Sequence, residues 1–381
     1  MTPLNPLFAI VIFAIAFLSG YLIHLVFPSK SEAGRYETID GLRGFLALGV
    51  FIHHASIWHQ YLKIENWEAP KSNLYNQFGQ SSVSLFFMIT SFLFVTKLLN
   101  TSSNSEFNWR RFFISRWYRL TPMYYISLVF LFILVFAATH WQFQTSFLEF
   151  LASLFHWGVF TITTAPKINN TDLTYLVNAG VIWSLPLEWW FYFSLPLLSL
   201  LILKVKPSRF YLGLSFVFVT GFCIVHGIKL EHLLSFAGGA IAPLLLKYKS
   251  IPEWVKSNSA SILIVGCLFL IPQFETSADF VCKILIASIF TFIALGKSLF
   301  GLLKNSTLKF LGEMAYSTYL LHGMVLFTVF YFGIGIEKIK NYTAEEFCIV
   351  VFSMTPLVVL VSYLGYRFIE LPFMTKGRKI K

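Results

Sequence analysis

The chain has 381 residues, 56% of them hydrophobic and only 12% charged, with a mean hydropathy of +0.69. That composition excludes a soluble globular domain, and apolar runs recurring from end to end mark a polytopic helical membrane protein. A net charge of +11 would suit nucleic acid, but the basic residues are scattered in short loops between apolar runs, where they act as topology signals.

The first apolar run, residues 7–27, has neither a basic segment before it nor a small-residue cleavage site after it, and reads as a retained helix. Ten further spans follow at about 44–62, 79–99, 120–140, 181–203, 209–226, 231–247, 259–273, 279–296, 308–334 and 345–368. The loops at 28–43, 97–119, 204–209, 247–258, 297–309 and 367–381 hold most of the Lys and Arg, which places them on the cytoplasmic side. The intervening loops carry Glu65, Glu68, Asp172, Glu231, Glu275, Asp279, Glu337, Glu345 and Glu346, and are expected to face outward. Parity then forbids a further apolar stretch at 145–163 from crossing, so it should be a re-entrant or interfacial segment on the outer side. The N-terminus is expected outside and the basic tail inside. Cys223, Cys267, Cys282 and Cys348 show no Cys-x-x-Cys or metal-ligand spacing, so no metal site is expected.

Four polar constellations interrupt the apolar pattern. In the second run Arg43 and His54 are eleven residues apart, which at about 100° per residue puts both on one side of a helix and turns His53 elsewhere. A rise of about 1.5 Å per residue then places Arg43 at a membrane face and His54 near mid-membrane, on the order of 16 Å away. An ionisable group at that depth marks a functional site or bridges neighbouring helices. Arg116 and Arg119, in the run Arg110-Arg111-Phe112-Phe113-Ile114-Ser115-Arg116-Trp117-Tyr118-Arg119, share a helical face. They fit a bidentate phosphate clamp, or a positive flank that only orients the helix. Glu188, in Trp183-Ser184-Leu185-Pro186-Leu187-Glu188-Trp189-Trp190, lies at the outer end of its span. There it can orient a histidine or a sugar hydroxyl, or snorkel within an aromatic belt. Tyr319 and His322 share a face in Tyr316-Ser317-Thr318-Tyr319-Leu320-Leu321-His322, as reactive groups or as a polar contact between helices. Walker-type loops, His-Glu-x-x-His helices and Gly-x-Ser-x-Gly elbows do not occur.

Taken in order, these segments resemble the acyltransferase-3 family of integral membrane acyltransferases, which O-acylate bacterial cell-surface polysaccharides. The resemblance begins at Arg35-Tyr36-Glu37-Thr38-Ile39-Asp40-Gly41-Leu42-Arg43-Gly44 and runs to Arg367-Phe368-Ile369-Glu370-Leu371-Pro372. It implies an all-α bundle in which residues 35–381 form a ten-helix acyltransferase-like core and residues 1–34 add an N-terminal helix. Arg43 and His54 match the family's arginine, ten-residue gap, histidine pattern, whose histidine is the catalytic candidate. Arg116 and Arg119 match its Arg-x-x-Arg motif, implicated in handling the acyl donor. Trp183, Ser184, Leu185 and Glu188 match its Trp-Ser-Leu-x-x-Glu segment, and Tyr316, Tyr319 and His322 its Tyr-x-x-Tyr-Leu-x-His segment. One departure is Ser91, which stands where the family usually has glycine and leaves acyl length open.

The function expected from the resemblance is transfer of an acyl group, most often acetyl, from cytoplasmic acyl-CoA to a hydroxyl of an extracytoplasmic or lipid-linked saccharide, in a bacterial inner membrane. Acyl-CoA is then a co-substrate, and no permanently bound cofactor is needed. Arg43, Arg116 and Arg119 would hold the donor, and His54 would meet the thioester in one polar tunnel with them. Glu188 would orient the acceptor or the histidine, and Asp40, one turn before Arg43, would fix that arginine. The extracytoplasmic domain fused to some family members is not among these segments, so the final transfer falls to this core or to a partner protein. The competing reading is a transporter or flippase for an anionic solute or lipid-linked sugar, which should show repeated halves with broken helices. No such repeat is evident.

Overall fold

The computed structural model describes residues 1–28, 36–101, 107–202, 207–248 and 253–379, so parts of the basic loops that set the topology above lie outside the described residues. Those described form helices and connecting turns, with no strand among them. The first helices are α1 (Pro6–Val26), α2 (Glu37–Ile64), α3 (Asn73–Leu99), α4 (Trp109–Ala138), α5 (Phe147–Gly158) and α6 (Leu173–Asn178). Then come α7 (Ser184–Ile202), α8 (Arg209–His226), α9 (Leu230–Tyr248), α10 (Glu253–Lys256), α11 (Asn258–Leu270) and α12 (Phe280–Ala294). The last are α13 (Ser306–Glu313), α14 (Ala315–Phe327), α15 (Ile336–Ile339), α16 (Ala344–Gly365) and α17 (Leu371–Lys379). Among the described residues seven helices are long and apolar enough to cross a bilayer, and the chain is an integral membrane protein.

Every apolar run has a helical counterpart, with two instructive differences. Helices α2 and α3 begin earlier than hydropathy indicates, because their polar first turns face other helices instead of lipid. Arg43 therefore sits inside α2 and not at its end. The run 308–334 is divided at Met314, where α13 stops and α14 starts, and α14 continues into a π-helical segment, Thr328–Ile334. The stretch expected not to cross is α5. Its 12 residues span about 18 Å, too short for a hydrocarbon core of about 30 Å. A Ser146–Glu149 capping box starts it, Trp157 is buried, and Phe147, Leu148 and Phe155 are exposed, as an interfacial segment requires.

Helix α2 lies at the centre, packed against α3, α13 and α14. Small residues let it approach α13 closely: a Cβ at Gly312 would overlap the Asp40 carbonyl oxygen, and one at Gly41 would overlap that of Leu303. Without a hydrophobic force between helices in lipid, such close backbone contact is a main source of association. It also fixes the height and rotation of Asp40 and Arg43. Helix α1 packs on α13 and α16, with the Phe8 and Phe352 rings 5.5 Å apart. At the other end of α16 a π-helical turn, Tyr366–Glu370, leads into α17, which lies against α4.

Candidate active site

A cavity of about 1080 Å³ opens among α2, α3, α4, α7, α14 and α17. Exposed Lys97, Arg111 and Arg378 rim it, and Arg43, Arg116 and Arg119 line it further in, with the carboxylates of Asp40, Glu188 and Glu313. Phe86, Phe87 and Phe94 of α3 form an apolar wall. Both arginines three apart on α4 thus face the cavity, as their spacing requires.

Each arginine is held by a different device. The Asp40 carboxylate lies 3.9 Å from Arg43, one turn away on α2. The Arg116 guanidinium sits 4.8 Å from the Phe94 ring centroid and 6.0 Å from that of Tyr192, whose hydroxyl donates to Glu188. Arg119 forms an ion pair with Glu370, whose side chain is wholly buried and also accepts the Ser317 hydroxyl at 2.9 Å. Arg119 lies 6.0 Å over the ring of Tyr316, and the Tyr316 hydroxyl donates to the Leu120 carbonyl at 2.9 Å. Planar guanidinium groups stacked on rings keep their edges available for phosphate oxygens.

Ser184 and Tyr319 also line the cavity. The Tyr319 hydroxyl donates to the Val181 carbonyl at 2.8 Å and accepts from the Ser184 hydroxyl at 2.9 Å, which ties α14 to the start of α7. One turn further along α14, His322 Nδ1–H donates to the Thr318 carbonyl at 2.9 Å, because that oxygen can only accept. In the neutral ring Nε2 is then an acceptor, and it lies 3.0 Å from Nδ1 of His54. His54 must donate from Nδ1, which leaves a lone pair on its Nε2. The two imidazoles form a chain whose far end is fixed by a backbone carbonyl and whose near end carries an unprotonated nitrogen. His53 points elsewhere, donating from Nδ1 to the Tyr75 carbonyl at 2.8 Å against Gly79.

Three expectations change. His54 is not among the residues lining the arginine cavity; Tyr319, whose hydroxyl is held by Val181 and Ser184, is in that lining three residues before His322. Glu188 lies among the arginines instead of beside His54, within the field of Arg116, Arg119 and Arg43, because α4 carries its arginines deep enough to meet the first turns of α7. Trp183 is turned away from the cavity, 49% exposed and 5.5 Å from the His232 ring.

The acyltransferase-3 family model, described as an acyltransferase domain, matches residues 36–367. The chain belongs to this family. It is also similar to proteins of Staphylococcus aureus strains COL, MSSA476 and MRSA252, each named "Putative O-acetyltransferase". Each is 24% identical over 392 residues, covering 92% of this chain and 59% of the relative. The chain thus spans less than two thirds of the length of the curated relatives it matches. No solved structure matches.

Within this acyltransferase domain, two site residues escaped the reading of the sequence. Tyr192 stands four residues after Glu188, a helical spacing that could have linked the two. Glu370 is an acid in an otherwise basic tail, a signal of the same kind as Glu188, but its partner on α4 is remote in the chain. Among the described residues no cluster of His, Cys, Asp and Glu has the makings of a metal site.

Proposed function

We propose that this protein transfers an acyl group, most often acetyl, from acyl-CoA on the arginine side to a hydroxyl of a saccharide on the opposite side of the membrane. The observation that carries the proposal is the imidazole chain Thr318–His322–His54, which leaves a lone pair on Nε2 of His54 close to a basic cavity lined by Tyr319. Arg43, Arg116 and Arg119 hold the phosphates of the donor, with Lys97, Arg111 and Arg378 at the rim. Glu188 positions Arg116 through Tyr192, and Asp40 positions Arg43.

His54 lies outside the lining of that cavity, which favours an acyl-histidine route over one pocket holding both substrates. Nε2 of His54 attacks the thioester carbonyl, the C–S bond breaks, and the thiolate of CoA leaves on the arginine side. The Nδ1 proton of His54 passes to Nε2 of His322, giving a neutral acyl-imidazole. The acceptor hydroxyl then attacks the acyl carbon, releases its proton to water, and the proton on His322 returns to Nδ1 of the freed His54. The products are the ester, the CoA thiolate and one proton. In this route the acyl group passes Tyr319 by rotation of its side chain.

The deciding experiment supplies radiolabelled acetyl-CoA to reconstituted protein with envelope polysaccharide as acceptor. Label should become covalently attached to glycan in wild type, and His54→Ala should abolish this at unchanged protein level. Full transfer by His54→Ala, or label that only crosses the vesicle membrane as it would through a transporter, overturns the proposal. Arg116→Ala and Arg119→Ala should each raise the KM for acetyl-CoA. Normal donor affinity with loss of expression would instead make these arginines topology signals.

A further inference from the structure

On the side of His54 turned away from the cavity, α2 ends at Glu65 in the left-handed region (φ 54°), and an irregular stretch leads to α3. Trp67 in this stretch is half-buried, and its indole lies nearly parallel to the His54 imidazole, 10° between planes and 6.4 Å between centroids. Trp58 and Tyr61 meet it edge-on at 5.6 and 5.9 Å. Beside the indole, the side-chain amides of Gln60 and Asn66 each donate to the Glu68 carboxylate at 3.1 Å. Of the nearby lysines, Lys63 donates to the Lys340 and Tyr342 carbonyls, Lys340 pairs with Glu65 and Glu337, and the Lys71 backbone N–H donates to the Gln60 amide oxygen at 3.3 Å. Nothing in the donor chemistry uses this set.

We propose that Trp67, with Tyr61, Gln60 and Glu68, is the docking site for the saccharide ring of the acceptor, reached from the face opposite the arginine cavity. The proposal rests on the acyl-transfer reading and adds the place and character of the second substrate. An indole face buries the C–H face of a pyranose, while an amide and a carboxylate take its hydroxyls, the usual division of labour in a ligand site of aromatic walls and a few polar groups. A ring lying on Trp67 presents its edge to the imidazole stacked alongside. The Glu68 carboxylate at the rim selects a neutral or amino sugar and disfavours a phosphate-rich acceptor, the reverse of the charge preference on the donor side. Phosphate and sugar are thereby sorted to opposite faces of one histidine.

Two measurements test this, and the first does not depend on acyl transfer. In sealed vesicles, full-length protein with its four cysteines replaced by serine and His54→Cys introduced is exposed to a charged, membrane-impermeant methanethiosulfonate. The thiol should react from the Trp67 side, about tenfold faster when Trp67→Ala is added, with Trp67→Phe close to the parent. Reaction that is indifferent to Trp67, or that enters from the arginine side alone, overturns the proposal. In the second, Trp67→Ala in the otherwise native protein should raise the KM for envelope polysaccharide about tenfold and leave that for acetyl-CoA within about twofold, with Trp67→Phe restoring most of the loss. An unchanged polysaccharide KM overturns it too. Absence of any transfer in wild type would remove the acyl-transfer reading, while the thiol measurement still reports whether Trp67 guards His54.

Discussion

At the scale of single residues, the site is defined by who holds whom. His322 accepts a hydrogen bond from Nδ1–H of His54, so under the proposed acyl transfer its removal should hurt chemistry more than binding. His322→Ala is expected to lower the rate of acyl transfer by about 10²-fold or more with little change in the KM for acetyl-CoA. His322→Gln, whose amide oxygen can accept the same proton, should recover part of the loss, and single-turnover kinetics would read both. Glu370 is the wholly buried partner of Arg119, and a buried ion pair broken on one side costs about 3–5 kcal/mol. Glu370→Gln should therefore lower the thermal midpoint in detergent and raise the KM for acetyl-CoA, whereas a purely topological arginine would leave that KM alone. His54 could be told from His53 in the sequence because an eleven-residue interval on a helix is a strong geometric statement. The Arg119–Glu370 pair could not be found that way, since helical spacing links residues within one helix only.

Individual helices set the geometry through close crossings. Gly312 on α13 and Gly41 on α2 stand where backbone meets backbone, and Asp40 and Arg43 belong to the same turns. Gly312→Ala should thus cost about 1–3 kcal/mol by overpacking and weaken donor binding without touching the donor, measurable as a lower melting temperature together with a higher acetyl-CoA KM. Most helices were legible in the sequence, because a long apolar run in a membrane protein has few alternatives to a helix. Their ends were less so. The first turns of α2 and α3 are polar yet helical, because they face protein, and a hydropathy pattern cannot distinguish that from a loop. The break at Met314 was invisible for another reason: no proline marks it, and Leu308, Phe310, Leu311, Met314 and Ala315 carry the apolar pattern across it.

The molecule as a whole is organised about a boundary. The basic cavity has Tyr319 in its lining, and the imidazole pair with its neighbouring indole lies outside that lining. If the acyl group is relayed through His54, acetyl-CoA alone should leave up to one equivalent of hydroxylamine-labile acetyl on the protein, and Tyr319→Ala should admit longer acyl-CoA donors. Mass analysis of the intact protein and competition between acetyl- and hexanoyl-CoA would check the two. An enzyme that forms a ternary complex would show no label without acceptor. Apart from Tyr192 and Glu370, the polar residues that matter were visible in the chain, but their grouping in space was not. Depth along a helix says how far a residue lies from one membrane face, and Glu188 shows how that misleads once a neighbouring helix carries its own charges inward.

The π-helical turn Tyr366–Glu370 gives chain length a local tolerance. Such a turn takes up one residue more than an α-helix does, so the residues beyond it keep the facing they would have in a regular helix one residue shorter. Loss of exposed Phe368 should close the turn into regular helix and leave Met374 and Arg378 at the wall they help to form. The regular turns of α17 have no such slack, and loss of one residue there would rotate everything after it by about 100°. Removal of Thr375 should therefore swing Arg378 out of the cavity wall, where removal of Phe368 spares it.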